Sequence, residues 1–266
     1  MAKETQYTSN PLRLAVDGTK SLFQKAPMVA IVLAILSSLS VTGNYGNSST
    51  PTTPEAAPVD LNPAADAVML VFVVVFILVA LFGVLIVWSI LTGIASYSAA
   101  EIAKGREVTF KQAAKATFDR LWSFVWLQLL TVLKVLAWTL LFIVPGIIMA
   151  VRYSLANLSF FDDTKKLKGN AAIKDSIALT KGAWLTTFGT QAFFSIITLG
   201  LIAPIIDAGS KVALYRQFTA LEAAGAPKPK AHVLSWVTLG LCILLALIGV
   251  GILSLAIATN GFTNVN

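Results

Sequence analysis

Thr139–Asp163 reads TLLFIVPGIIMAVRYSLANLSFFDD. Apolar residues run up to Pro145-Gly146, and a shorter apolar segment carrying Arg152 runs away from it. The run before the pair is of membrane-span character, so the pair is read as the turn of a helical hairpin in a bilayer. Three uncharged apolar runs, at 68–95, 185–206 and 233–258, carry the same message. A spanning helix needs about 20 such residues.

Composition agrees. Of 266 residues, 56% are hydrophobic and 12% charged, whereas a soluble domain carries about 25% charged residues. The apolar runs are continuous rather than alternating, which excludes a membrane β-barrel. The fold class is all-α: a polytopic helical membrane protein of about five full spans plus two return segments, up to seven membrane segments. Cys242 and His232 are the only residues of their types. An internal disulfide and multi-ligand zinc or haem sites are therefore excluded, and no cofactor is called for. No cleaved signal is expected, and Ala2 and the Thr-Asn-Val-Asn end carry no lipidation motif.

Along the chain, residues 1–10 read as a disordered leader. Residues 11–230 read as the membrane domain, and 231–266 as an additional C-terminal transmembrane helix and tail. The spans are 26–41, 67–97, 121–144, 183–203 and 233–259, with returns at 147–161 and 205–224. The stretch 43–66 is rich in Gly, Asn, Ser, Thr, Pro and Ala and has no Lys or Arg, so it reads as a flexible outer loop. Three basic amphipathic helices precede outward spans. Their apolar stripes are Leu12, Val16, Thr19, Leu22 and Phe23; then Phe110, Ala114, Thr117, Phe118 and Leu121; then Ile173, Ser176, Ile177 and Thr180.

Cations set the topology. Lys and Arg number four in 1–25, five in 99–120, five in 162–182 and four in 207–232, with none in 43–66 or 260–266. The positive-inside rule places the first four regions in the cytoplasm and the last two outside. The N-terminus is then cytoplasmic and the C-terminus external. Segments 121–161 and 183–224 each start and end inside, so they reverse at Pro145-Gly146 and near Pro204. One unit recurs over 11–107, 108–168 and 170–230: a basic amphipathic helix, a span, a return and a basic break. Pro145 to Arg152 and Pro204 to Lys211 are both seven residues. A structural repeat and the common grammar of hairpins under the positive-inside rule both produce this pattern.

The candidate polar site within the membrane segments is Lys134, Arg152, Asp207, Lys211 and Arg216. A mid-bilayer charge costs about 2.5–3.5 kcal/mol on insertion scales. Lys134 lies ~16 Å along the helix from Pro145, near the midplane, and Arg152 ~10 Å past it. Asp207 and Lys211 are spaced i,i+4 with the acid first, the better order for a helical ion pair. A structural bridge is the default for that pair. Asp162-Asp163 reads as a solvated helix end, and Tyr215 as interfacial packing.

The run LLFIVPGIIMAVRYSLANLSFFDD, then AAIKDSIALTKGAW and ALYRQF, resembles a group of uncharacterised prokaryotic membrane proteins. They are allied to the membrane domain of glycerophosphoryl diester phosphodiesterases. The resemblance covers about 100–230 and rests on Pro145-Gly146, Arg152, Asp162-Asp163, Ser176, Lys181-Gly182 and Tyr215-Arg216. It implies a fold and a bacterial or archaeal cytoplasmic membrane, without the soluble catalytic domain. The expected function is non-enzymatic: membrane organisation, interaction with lipid (anionic headgroups at the cytoplasmic face) or support of partner proteins. No nucleic acid is expected. The alternative is a transporter or channel for a small solute or lipid, which requires Lys134, Arg152 and Lys211 to meet in one cavity.

Overall fold

A computed structural model describes residues 7–42, 63–197 and 203–263. Every described element is a helix. They are α1 (Pro11–Lys25), α2 (Pro27–Thr42), α3 (Pro63–Ala103), α4 (Phe110–Asp119), α5 (Leu121–Leu141), α6 (Ile143–Tyr153), α7 (Ala156–Phe161), α8 (Asn170–Thr180), α9 (Trp184–Ile197), α10 (Ala203–Ala223) and α11 (Val233–Thr263). Four described stretches are long and apolar enough to cross a bilayer: Val68–Ala103, Leu121–Leu141, Ile143–Phe161 and Val233–Ile252. From residue 68 to 84 every side chain is exposed, and none is charged. A helix apolar on all sides with no protein around it needs lipid as its solvent. Residues 43–62 of the expected outer loop and 1–6 of the leader lie outside the described residues. Pro63–Asp66 already belong to α3.

Local chemistry sets the helix ends. Asn10 Oδ1 accepts from Leu12 N at 3.0 Å and starts α1. Thr109 and Gln112 form a reciprocal capping box on α4. His232 Nδ1 accepts from Leu234 N at 3.1 Å, which gives the sole histidine a capping role at α11. Gly105 (φ +89°) follows the end of α3 in left-handed backbone, where a side chain is strained.

The reversal after α5 lies at Phe142, not at Pro145-Gly146 as expected. Phe142 is extended (φ −157°, ψ 135°), and α6 begins at the next residue. Pro145 sits in the first turn of α6, where its missing N–H would have had no partner within the helix. Pro204 holds the corresponding place in α10, which begins at Ala203. The turn expected near Pro204 falls partly in 198–202, outside the described residues. Gly146 has a different task. A Cβ there would lie 2.8 Å from Thr139 Cα, so its bare backbone lets α5 and α6 close on each other.

The stretch Ile143–Phe161, which includes the expected return 147–161, is two helices with a break at Ser154-Leu155. Ser176 of α8 fills the break: its Oγ donates to Arg152 O at 2.6 Å and accepts from Leu155 N at 3.2 Å. Both backbone groups are otherwise without an intrahelical partner, so Ser176→Ala is expected to cost ~1–3 kcal/mol. Thermal unfolding of the detergent-solubilised protein measures it. An unchanged midpoint would mean that the break does not need this hydroxyl.

Close approaches through small residues join the helices, as membrane packing favours. α1 crosses α10 at Gly18 and Gly209, α3 meets α4 at Gly93 and Thr117, and α9 meets α11 at Gly189 and Ser235. This corrects the expected stripe of α1. Leu14, Ala15, Gly18 and Leu22 are buried, whereas Leu12, Val16 and Phe23 face outward. Glycine scores poorly as an apolar residue, yet it marks the face with the tightest contact. On α4 likewise only Ala113 and Thr117 are buried, and Phe118 is exposed.

Three successive groups of helices, α1–α3, α4–α7 and α8–α10, share one kind of contact. In each, the residue at the first helix junction contacts the loop after the last helix of the group. Lys25 Nζ donates to Gly105 O at 2.6 Å. Arg120 Nη2 lies 3.1 Å from Asp163 Oδ1. Lys181 O accepts from Lys228 Nζ at 2.9 Å.

Candidate functional site

Two features occupy the centre: an ion-paired base and a cavity above it. The base begins with Asp162, expected to be solvated but only 4% exposed. Its Oδ2 accepts from Tyr215 Oη at 2.7 Å, and its Oδ1 from Thr164 N at 3.0 Å and Thr164 Oγ1 at 2.6 Å. Lys104 Nζ lies 3.2 Å from Asp162 Oδ1 and 2.6 Å from Glu101 Oε1, and Arg106 Nη1 lies 2.9 Å from Glu101 Oε2. Lys165 continues the layer, 2.8 Å from Asp175 Oδ1 and 3.4 Å from Glu222 Oε2.

Burial works against ionisation of Asp162, but the bonds from Thr164 and Tyr215 and the Lys104 ammonium outweigh it. The carboxyl is held below the ordinary value of 3.8. Burial also disfavours the Lys104 ammonium, and Glu101 and Asp162 reverse that and raise it above 10.5. Two distant stretches meet here through Asp162 and Tyr215, 53 residues apart. Tyr215 is therefore a core residue, 1% exposed, and not an interfacial one.

The cavity, about 770 Å³, lies between α2, α3, α6, α7, α9 and α10. Its walls are mainly apolar, with Leu33, Trp88, Leu91, Val151, Leu158 and Phe188 among them. The polar lining residues are Thr92, Ser96, Asn157, Gln191, Asp207 and Lys211. Asp207 Oδ2 and Lys211 Nζ form the expected i,i+4 pair at 2.6 Å. Thr92 Oγ1 donates to Trp88 O and accepts from Gln128 Nε2, and Gln191 Nε2 donates to Ser154 Oγ.

The five sequence candidates do not converge. Only Asp207 and Lys211 line the cavity. Lys134 donates to Asn170 Oδ1 at the start of α8. This is snorkelling with a protein partner, because the long side chain reaches back from its position in α5. Arg152 lies at the α6 end, with its Nε buried and without a hydrogen-bond partner among the described residues. Arg216 is exposed. Sequence reasoning missed Ser96, Asn157, Glu101 and Lys104. The i,i+4 spacing of Thr92 and Ser96 within an apolar helix was the available signal for a polar line on α3. Among the described residues, no group of three His, Cys, Asp or Glu side chains gathers as a metal site would require.

No protein-family profile, no curated protein and no solved structure matches this chain.

Proposed function

We propose that this is a non-enzymatic integral membrane protein of a prokaryotic cytoplasmic membrane that works through interaction with lipid, gathering anionic headgroups at its cytoplasmic face. The observation that carries this reading is the outer face of two short helices. α1 turns Leu12, Val16 and Phe23 outward, with Arg13 and Lys20 exposed on the same helix. α4 and the start of α5 turn Phe118, Trp122 and Trp126 outward, with Lys111 and Lys115 exposed. Apolar side chains beside cations suit the boundary between headgroups and acyl chains, and exposed tryptophans suit the same depth.

In this reading α2, α3, α5, α9 and α11 are the five spans, and α6–α7 and α10 return, with the N-terminus cytoplasmic and the C-terminus external. The absence of Lys and Arg from 43–66 and 260–266 supports that orientation. The recurrence of the junction contact at Lys25, Arg120 and Lys181 supports three related units. The transport alternative required Lys134, Arg152 and Lys211 in one cavity, and only Lys211 lines it.

Spin-labelled lipids in nanodiscs test the reading. The motionally restricted fraction of labelled phosphatidylglycerol is expected to exceed that of phosphatidylcholine at low salt. Replacing Arg13, Lys20, Lys111 and Lys115 with glutamine removes the excess, since each surface cation contributes about 1 kcal/mol near an anionic leaflet. Equal fractions for both lipids in the unaltered protein would overturn it.

A further inference from the structure

The cavity is graded along its α3 wall. Ala99 is 1% exposed, Ser96 8% and Trp88 61%. The α3 wall is thus buried toward the ion-paired base and exposed at Trp88, where α3 continues as exposed apolar helix. The path from 99 to 88 is ~16 Å at the helical rise.

Several of its hydrogen-bonding groups lie on the side of the ion-paired base. Lys211 is one turn before Tyr215, Asn157 is five residues before Asp162, and Tyr215 is bonded to Asp162. Lys211 and Asn157 both line the cavity within about two turns of that contact. Ser96 adjoins Tyr97, whose ring meets Phe161 edge-on at 5.8 Å, which places it near that contact too. The Ser96 hydroxyl and the Asn157 carboxamide line the cavity and have no hydrogen-bond partner among the described residues. Polar groups drawn into an apolar wall and left unpaired are ordinarily destabilising. A ligand that supplies both a donor and an acceptor relieves them.

The charge in the wall narrows the class. Asp207 and Lys211 neutralise each other at 2.6 Å. A carboxylate or phosphate head would face Asp207, and an ammonium would face Lys211. Ser96 and Asn157 each offer donors and acceptors, which an uncharged hydroxyl or ester head matches on both counts. The remaining lining is apolar and takes an alkyl chain. The volume of about 770 Å³ lies within the roughly 300–1,000 Å³ of small-molecule pockets.

We propose that this cavity binds one single-chain lipid with an uncharged, hydroxyl-bearing head, a monoacylglycerol in chemical class. The head lies against Ser96 and Asn157, and the chain leads out past Trp88 into the bilayer. The site is separate from the cationic outer faces of α1 and α4, and its preference is the opposite one, for a neutral head.

Native mass spectrometry of the full chain in a non-ionic detergent provides the test, with 1-oleoylglycerol, oleate, oleoyl-lysophosphatidylglycerol and dioleoylphosphatidylglycerol as probes. The expected result is one 1-oleoylglycerol per chain, retained above the three charged lipids. Ser96→Ala with Asn157→Ala weakens it by roughly tenfold, the scale of two neutral hydrogen bonds. Ala95→Phe fills the chamber and weakens it at least as much. If Ala95→Phe does not fold, the double alanine variant, which removes only unpaired groups, decides alone. Absence of a 1:1 adduct with 1-oleoylglycerol, tighter retention of a charged probe, or retention unchanged in the variants would overturn the proposal. Glutamine replacement of Arg13, Lys20, Lys111 and Lys115 leaves 1-oleoylglycerol retention unchanged, so this site and the anionic-lipid surface fail or stand separately.

Discussion

Gly18→Ala is expected to lower the thermal unfolding midpoint of the detergent-solubilised protein by about 6–12 °C. That follows from ~3 kcal/mol, the upper part of the overpacking range, at ~2–4 °C per kcal/mol for a chain of roughly this size. A Cβ on Gly18 would lie 1.8 Å from Gly209 O and 2.5 Å from Gly209 C. Both are backbone atoms in the middle of α10, so no rotamer change relieves the clash. The whole of α1 has to move. α1 also carries Leu14, Ala15 and Leu22 into the core, and lifting it uncovers them as well. Gly209→Ala acts at the same crossing, because its Cβ would lie 2.5 Å from Thr19 N. The two substitutions are therefore expected to be less than additive, since one displacement of α1 relieves both. Gly240→Ala is the control, with nothing within 4 Å of the added atom. A midpoint unchanged by Gly18→Ala would mean that α1 does not pack on α10 in this way.

That crossing also shows which parts of the fold were legible. Membrane class followed from uncharged runs such as 68–95, because length and composition alone decide whether a helix suits a bilayer. The Asp207–Lys211 pair was legible because helical spacing brings the two side chains together with no tertiary information. The hairpin before Arg152 was legible, but its turn lay three residues earlier, at Phe142. Proline favours the first turn of the following helix, so the pair marked where the return begins. Gly18 was not legible. Hydrophobic periodicity ranks side chains by transfer energy, and close backbone approach is a contact property of two helices far apart in sequence. The same reason hid the base. Asp162 and Tyr215 stand 53 residues apart, and a carboxylate flanked by Asp163 and lysines has the local pattern of a solvated helix end. The cavity depended on Ser96 and Asn157, isolated small polar residues whose direction only the packed helices determine.

Asp162→Ala is expected to destabilise the protein by ~3–5 kcal/mol, the range for removing one partner of a buried ion pair. Tyr215 Oη would lose its acceptor, Thr164 both of its bonds, and Lys104 its second carboxylate. Glu101 remains for Lys104, so the loss falls mainly on the contact between α7 and α10. Asp162→Asn separates charge from shape. It keeps an oxygen for Tyr215 or Thr164 and removes the anion facing Lys104, so its effect at neutral pH is smaller, ~1.5–3 kcal/mol for a charged hydrogen bond. The pH profile then distinguishes the two roles. In the folded protein the Asp162 carboxyl titrates below its ordinary 3.8. Its contribution is complete above that value and is lost as pH falls through the folded value, in the window below about pH 4. The Lys104 ammonium titrates above 10.5, so its contribution is complete below that value and is lost as pH rises through the folded one. Unfolding midpoints measured from pH 3 to pH 11 should fall at both ends. Asp162→Asn makes the acid limb shallower, because the side chain that binds a proton on unfolding in acid is gone. The alkaline limb persists in part, because Lys104 still meets Glu101 at 2.6 Å. An acid limb as steep in Asp162→Asn as in the unaltered protein would assign the acid sensitivity to carboxylates elsewhere, and Asp162 would then contribute through packing and hydrogen bonds alone.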